Sequence, residues 1–250
     1  MGERLYIHRH SIVHQIPAHL KIFSGLLFII IAVSTPITNW VAFMGYFLLI
    51  ISVTQIAKLP MKLVGTRSLI EIPFVLFALI MPFFGTGEPF EIGTLNLYRD
   101  GMLAGASIVA KGTLGILVAI NLSATTTARE ILRGLERLKM PSAIVQIASF
   151  MLRYVNVVND EMERMAVARQ SRGFTATGIK HWKILATAAG ALFIRSYERG
   201  ERVHLAMLSR GYDGNLPKDE KSYEPKRLIL ISFLTPLLAL LILILSQWLR

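Results

Sequence analysis

No cysteine occurs anywhere in the 250 residues. That absence excludes disulfides, iron–sulfur clusters and thiolate metal sites. Acidic residues are scarce as well: 16 Asp+Glu stand against 27 Lys+Arg, a net charge of +11. Charged residues of either sign make up 17% of the chain, where a soluble domain carries about 25%. With 53% hydrophobic residues and a mean hydropathy of +0.52, the deficit points to a bilayer. A phosphate-binding loop is missing too. Gly173 and Gly178 have the required gap, but Ile179 stands where Lys is needed, and Lys180 is followed by His181 instead of Ser or Thr. The apolar runs contain no paired carboxylates, no His-x-x-x-His helix and no nucleophile, so nothing supports a membrane-embedded hydrolase.

What the chain does have is long apolar runs. Residues 20–38, 40–57, 69–84, 102–122 and 228–249 are each close to the roughly 20 residues that cross hydrocarbon. The third is interrupted by Glu71, Pro73 and Pro82, and the fourth is rich in small residues and holds Lys111. The first run is read as an uncleaved span, because a second follows at once and no small-x-small cleavage site is evident.

Basic residues orient these spans. Arg4, Arg9 and Lys21 lie at the start, and Lys58, Lys62 and Arg67 follow the second span. The next loop has Glu88, Glu91 and Asp100 against Arg99 alone. The N-terminus is therefore placed in the cytoplasm, together with residues 128–226, and the C-terminus outside. That block carries 17 of the 27 basic and 11 of the 16 acidic residues. So much acid among the base argues against nucleic acid as the partner.

The expected fold is an all-α integral membrane protein with about five transmembrane helices and long cytoplasmic helices inserted before the last span. Its regions are 1–127 with four spans, 128–226 in the cytoplasm and 227–250 as the final span. In the cytoplasmic block, Thr127 and Glu130 have capping-box spacing, and Ile131, Leu135 and Leu138 recur at helical spacing. Pro141 opens a long helix to residue 173, with a bend expected near Val157–Asp160. Gly173 to Gly178 reads as a loop. A helix over 180–199 and a last one over 200–210 follow.

One short pattern occurs twice at a constant offset. "ERMAVARQSRGF" at 163–174 overlays "ERVHLAMLSRGY" at 201–212, pairing Ala168 with Ala206, Ser171 with Ser209, Arg172 with Arg210 and Gly173 with Gly211. A single copy is an ordinary helix end, with Arg offsetting the dipole and Gly stopping the helix. Two copies in fixed register read as two equivalent docking sites. Each small alanine lets its face approach a surface closely, and each planar guanidinium fork suits a partner carboxylate.

These paired Ser-Arg-Gly motifs, usually Ala-Arg-Gly, resemble the T component of energy-coupling factor (ECF) transporters. The opening "SIVHQIPAHLKIFSGLLFIIIAVST" looks like the cobalt-type members, the CbiQ family, and "PSAIVQIASFMLRYVNVVNDEMERMAVARQSRGF" is similar to the block before their first motif. The resemblance covers nearly the whole chain. It implies a membrane scaffold without enzymatic activity or cofactor, whose coupling helices dock into grooves on two ATP-binding cassette ATPase subunits. ATP-driven closure would then tilt or release a substrate-binding S component. The further partners implied are a CbiM-like S component and a small accessory membrane subunit. Arg172 and Arg210 would be the principal docking arginines, with Ala168, Ser171, Gly173, Ala206, Ser209 and Gly211 completing the motifs. Serine replaces the commoner alanine in both copies, which implies adjusted groove contacts. Cobalt is the implied substrate, with nickel or a vitamin as alternatives. A conventional ABC permease subunit is the alternative architecture, although such a chain usually carries one coupling element.

Other residues of note lie within or beside the spans. Lys111 is a candidate for a functional intramembrane charge or a snorkelling residue. Gly101-x-x-x-Gly105 is a close-packing pattern, consistent with a span that contacts an S component. His8, His10, His14 and His19 fit no metal-ligand spacing and read as interfacial. Trp40 and Trp248 sit at span ends as an aromatic belt.

Overall fold

The computed structural model describes residues 6–84, 89–92, 95–174, 181–214 and 225–248. Glu88 of the acidic loop and Thr175–Lys180 of the expected glycine-bounded loop lie outside the described residues. Among the described residues the regular structure is helical apart from one short antiparallel hairpin, β1 (Pro89–Ile92) and β2 (Leu95–Tyr98). By its internal contacts the chain divides into two compact units. One joins residues 2–139 to 223–250, and the other is residues 140–222.

The first unit contains every apolar run. After a one-turn helix α1 (Ile12–Gln15), the first two runs form α2 (Ala18–Ser34) and α3 (Trp40–Ile56). Each has 17 residues, about 25 Å of helix, somewhat short of a hydrocarbon core of about 30 Å. The reason α2 stops at Ser34 is local. Thr35 takes an extended backbone before Pro36, as a residue preceding proline prefers. The third run is the composite helix Met61–Phe83, in which α4 (Met61–Ser68) and α5 (Ile72–Ile80) are joined and extended by tighter 3₁₀ turns. Next come α6 (Arg99–Thr125), α7 (Ala128–Arg137) and, at the end of the chain, α10 (Lys226–Trp248). Among the described residues three helices, Met61–Phe83, α6 and α10, are long and apolar enough to cross a membrane.

Each of these helices buries one stripe and leaves its other faces apolar. Phe28 and Ala32 of α2, Phe43, Tyr46 and Ile50 of α3, Leu114, Leu117 and Ile120 of α6, and Ala239 of α10 form the core. Leu26, Ile30, Leu48, Phe77, Leu79, Leu230 and Leu237 point outward. A helix that is apolar outside as well as inside belongs in lipid. The protein is a multi-pass membrane protein.

Because lipid tails are as apolar as leucine, hydrogen bonds and close packing must join the helices. Asn39 Nδ2 donates to Ser246 Oγ at 2.8 Å, and Asn121 Nδ2 donates to Thr54 Oγ1 at 2.9 Å. Thr113 Oγ1 donates to the buried Glu71 carboxylate at 2.6 Å. Close packing comes from glycine. A Cβ on Gly101 would lie 2.3 Å from the Met81 carbonyl oxygen, and one on Gly105 would lie 2.6 Å from that of Ala78.

The second unit holds α8 (Ser142–Ser171) and α9 (Trp182–Leu208). α8 runs as 30 helical residues without a break through Val157–Asp160. One expectation fails here: the helices expected over 180–199 and 200–210 are a single 27-residue helix. Gly200 does not divide it, since one interior glycine costs only about 1 kcal/mol against the propensity of the glutamates and arginines around it. By contrast, the capping box before α7 forms as its spacing requires. Glu130 N–H donates to Thr127 Oγ1 at 3.3 Å, and Thr127 N–H donates to Glu130 Oε2 at 2.8 Å.

Candidate functional site

The repeated motif closes α8 and α9 in the same way. Beyond α8, Gly173 N–H donates to the Gln170 carbonyl at 2.9 Å and Phe174 N–H reaches back to Arg169 at 3.1 Å. Beyond α9, Gly211 N–H donates to Leu208 at 3.0 Å and Tyr212 N–H to Met207 at 3.0 Å. This pair of crossed bonds is a Schellman cap, which places the glycine in the left-handed region. The glycines have φ of +74° and +80°. A Cβ at either would meet nothing within 4 Å, so glycine is needed for its backbone conformation and not for space.

The caps determine what each tip presents. Ser171 Oγ donates to the Val167 carbonyl and Ser209 Oγ to that of Ala206, both at 3.0 Å, so both hydroxyls are satisfied within their own helices. Ala168, Ser171, Arg172, Ala206, Ser209 and Arg210 are all exposed. Among the described residues, nothing hydrogen-bonds or ion-pairs with the guanidinium of Arg172 or Arg210. Each tip therefore offers a small-residue face and an uncommitted cation.

Three ties define how the tips are arranged. The Tyr212 hydroxyl donates to Gln146 Oε1 at 2.7 Å, Arg195 pairs with Glu161, and the Phe174 ring meets His181 edge-on at 5.1 Å. The partners advance along α8 (146, 161, 174) as they retreat along α9 (212, 195, 181), so the helices run antiparallel. The tips accordingly lie at opposite ends of a helical hairpin. Arg172 is 26 residues beyond Gln146, which separates the tips by about 40 Å along the axis.

The other sequence candidates occupy different places. Lys111 Nζ donates to the Val33 carbonyl at 2.7 Å, in the last turn of α2. It answers a carbonyl with no partner inside its own helix and sits at the negative end of the α2 dipole. Gly101 and Gly105 pack on the Met61–Phe83 helix of the same chain, so their close-approach face is occupied internally. His14 bonds Ser11 Oγ through Nδ1 at 2.7 Å and the Ile7 carbonyl through Nε2 at 3.2 Å. Burial holds its pKa below the ordinary value of 6.5, against the opposing bond to Ile7. Among the described residues, no three His, Asp or Glu side chains are grouped to hold a metal.

Sequence reading missed Gln146 as a member of the site. The available signal was one of the differences between the copies, Phe174 against Tyr212, which adds a hydroxyl at the second tip only.

Comparison with known proteins extends over nearly the same residues. Residues 9–223 match the family described as Cobalt transport protein, CbiQ. The chain is 28% identical over 225 residues to the energy-coupling factor transporter transmembrane protein EcfT of Bacillus subtilis, covering 84% of this chain and 83% of that one. It is 32% identical over 169 residues to an uncharacterized protein of Methanocaldococcus jannaschii, covering 64% of this chain and 62% of that protein. A putative fused cobalt transport protein CbiMQ of Methanocorpusculum labreanum is 29% identical over 227 residues, which are 86% of this chain and 37% of the fusion.

Proposed function

The chain belongs to the CbiQ cobalt transport family, and from that premise we propose that it is the scaffold of an ECF-type importer, docking one ATPase subunit on each Ser-Arg-Gly tip. One observation carries the reading. Two identically capped tips, each with an exposed and uncommitted arginine, stand at opposite ends of one hairpin. A pair of ATPase subunits that closes on ATP needs two such handles, one apiece. A guanidinium fork meeting a groove carboxylate gives each handle charge-assisted, oriented bonds. A conventional permease chain, with one coupling element, has no use for the second copy.

In this assembly the chain hydrolyses nothing. It converts closure of the ATPase pair into movement of α8 and α9, and through them acts on a substrate-binding membrane protein. Fusion of CbiM to CbiQ in the Methanocorpusculum relative supports a CbiM-like S component, and the family supports cobalt ion as its cargo. The excess of basic residues in the N-terminal segment, after the second span and in residues 128–226 supports a cytoplasmic location for all three.

Uptake tests this reading. Proteoliposomes containing the chain with its ATPase and S-component partners should accumulate cobalt in an ATP-dependent manner. Arg172→Glu/Arg210→Glu should abolish accumulation while leaving the chain monodisperse. ATP-driven uptake that persists unchanged in the double variant would remove the arginines from the mechanism. Accumulation of nickel in preference to cobalt would reassign the cargo.

A further inference from the structure

We propose that Gln146 is a positioning residue that latches the second tip, so that the two tips are mechanically unequal: Arg210 is held to the start of α8, whereas among the described residues the first tip, with Arg172, has no such latch. The idea builds on the docking reading for its functional meaning, but the latch itself rests on geometry alone.

Gln146 lies in the second turn of α8 and contacts the chain just past the second motif through both ends of its amide. Its Oε1 accepts from the Tyr212 hydroxyl at 2.7 Å, and its Nε2 donates to the Gly214 carbonyl at 3.1 Å. The two bonds fix the amide orientation, because a flipped amide would set Oε1 against the Gly214 oxygen. Gly214, at φ +96°, belongs to the turn that brings this carbonyl back to α8. Tyr212 is also the residue whose N–H closes the second Schellman cap. The latch therefore grips the cap itself, two residues from Arg210.

At the first tip the equivalent residue is Phe174, which has the ring but no hydroxyl. Its ring rests against His181, within the connection between the two helices. A repeat that otherwise preserves Ala, Ser, Arg and Gly thus differs at the atom that makes a latch possible. The consequence for coupling is directional. Force on Arg210 passes directly to the first turns of α8, whereas force on Arg172 travels along the length of α8.

The cysteine-free chain allows this to be measured by paired spin labels in the full-length protein in nanodiscs. Glu163→Cys with Leu208→Cys reports the second tip, and Gln170→Cys with Arg199→Cys reports the first. Loss of one such hydrogen bond should raise the population of displaced tips by about fivefold. Tyr212→Phe and Gln146→Leu are therefore expected to broaden the 163–208 distance distribution and leave 170–199 unchanged. Gln146→Glu keeps the acceptor for Tyr212 but loses the donor to Gly214, so it should fall between. An unchanged 163–208 distribution in both Tyr212→Phe and Gln146→Leu, or equal broadening of both pairs, would overturn the proposal. Recovery of ATPase subunits by Cys-free Tyr212→Phe and Arg210→Glu separates the two ideas. Broadening in Tyr212→Phe together with full recovery by Arg210→Glu keeps the latch and removes docking. No broadening with recovery lost in Arg210→Glu does the reverse.

Discussion

The helices that carry the apolar runs and the hairpin α8–α9 are built on opposite principles. In the first unit α2, α3, α6 and α10 each bury several residues, and polar side chains tie one helix to another. In the hairpin, α8 buries Val145 alone and α9 buries none of its described residues. Ile144, Ile147, Met151, Phe193, Ile194 and Leu205 remain exposed instead. Exposed apolar surface on this scale marks a surface made to be covered. Substitutions in the first unit should therefore act on folding, and substitutions at the hairpin tips should act on assembly.

The largest effect should come from Gly101→Leu. Its Cβ would fall 2.3 Å from a backbone oxygen that no side-chain rearrangement can move, so α6 must separate from the Met61–Phe83 helix. Loss of the monodisperse peak in detergent size-exclusion chromatography is expected; a normal peak and melting temperature would show that this packing is dispensable. At the tips, Gly173→Val and Gly211→Val force a β-branched residue into the left-handed region at a cost of about 1–2 kcal/mol each. Hydrogen exchange should speed up in the last turn of the altered helix alone. A shift in the thermal midpoint of the whole protein would break the contrast between the two regions.

Lys111→Met sharpens the comparison from within the membrane. If the lysine caps α2, stability falls by about 1 kcal/mol at most and transport survives. Abolished uptake with unchanged stability would make Lys111 a transport residue. The smallest effect expected is that of His14. Its folded pKa lies below the unfolded 6.5, so the neutral form is favoured by folding. The stability it contributes is present above pH 6.5 and is lost as the pH falls from there towards the folded value. His14→Gln should flatten the melting temperature between pH 7.5 and 5.5; an unchanged slope would remove His14 as its source.

Much of this was written locally in the sequence. The five apolar runs, the Thr127–Glu130 box and the stop glycines each depend on residues a few positions apart, and each formed as a helix or a cap. What was not legible depends on distant neighbours or on small competing energies. The helix boundary expected between residues 199 and 200 did not form, because the cost of Gly200 is minor beside the residues around it. Lys111 offered two readings because its carbonyl partner lies on a helix 78 residues away. The Gln146 latch spans 66 residues, and a lone glutamine in an apolar stretch carries no sign of it. The arginine tips were visible as a repeat, but their placement at opposite ends of a hairpin required the pairing of Glu161 with Arg195 and of Gln146 with Tyr212.

Counting ATPase subunits per scaffold tests the central claim most directly. The tagged chain, co-expressed with its ATPase and S-component partners, would be purified in detergent as wild type, Arg172→Glu, Arg210→Glu and the double variant. Docking at two tips predicts two ATPase subunits on wild type, fewer on each single variant and none on a double variant that is still well folded. Equal recovery from all four proteins would contradict it, and would leave the twin motifs as helix caps alone.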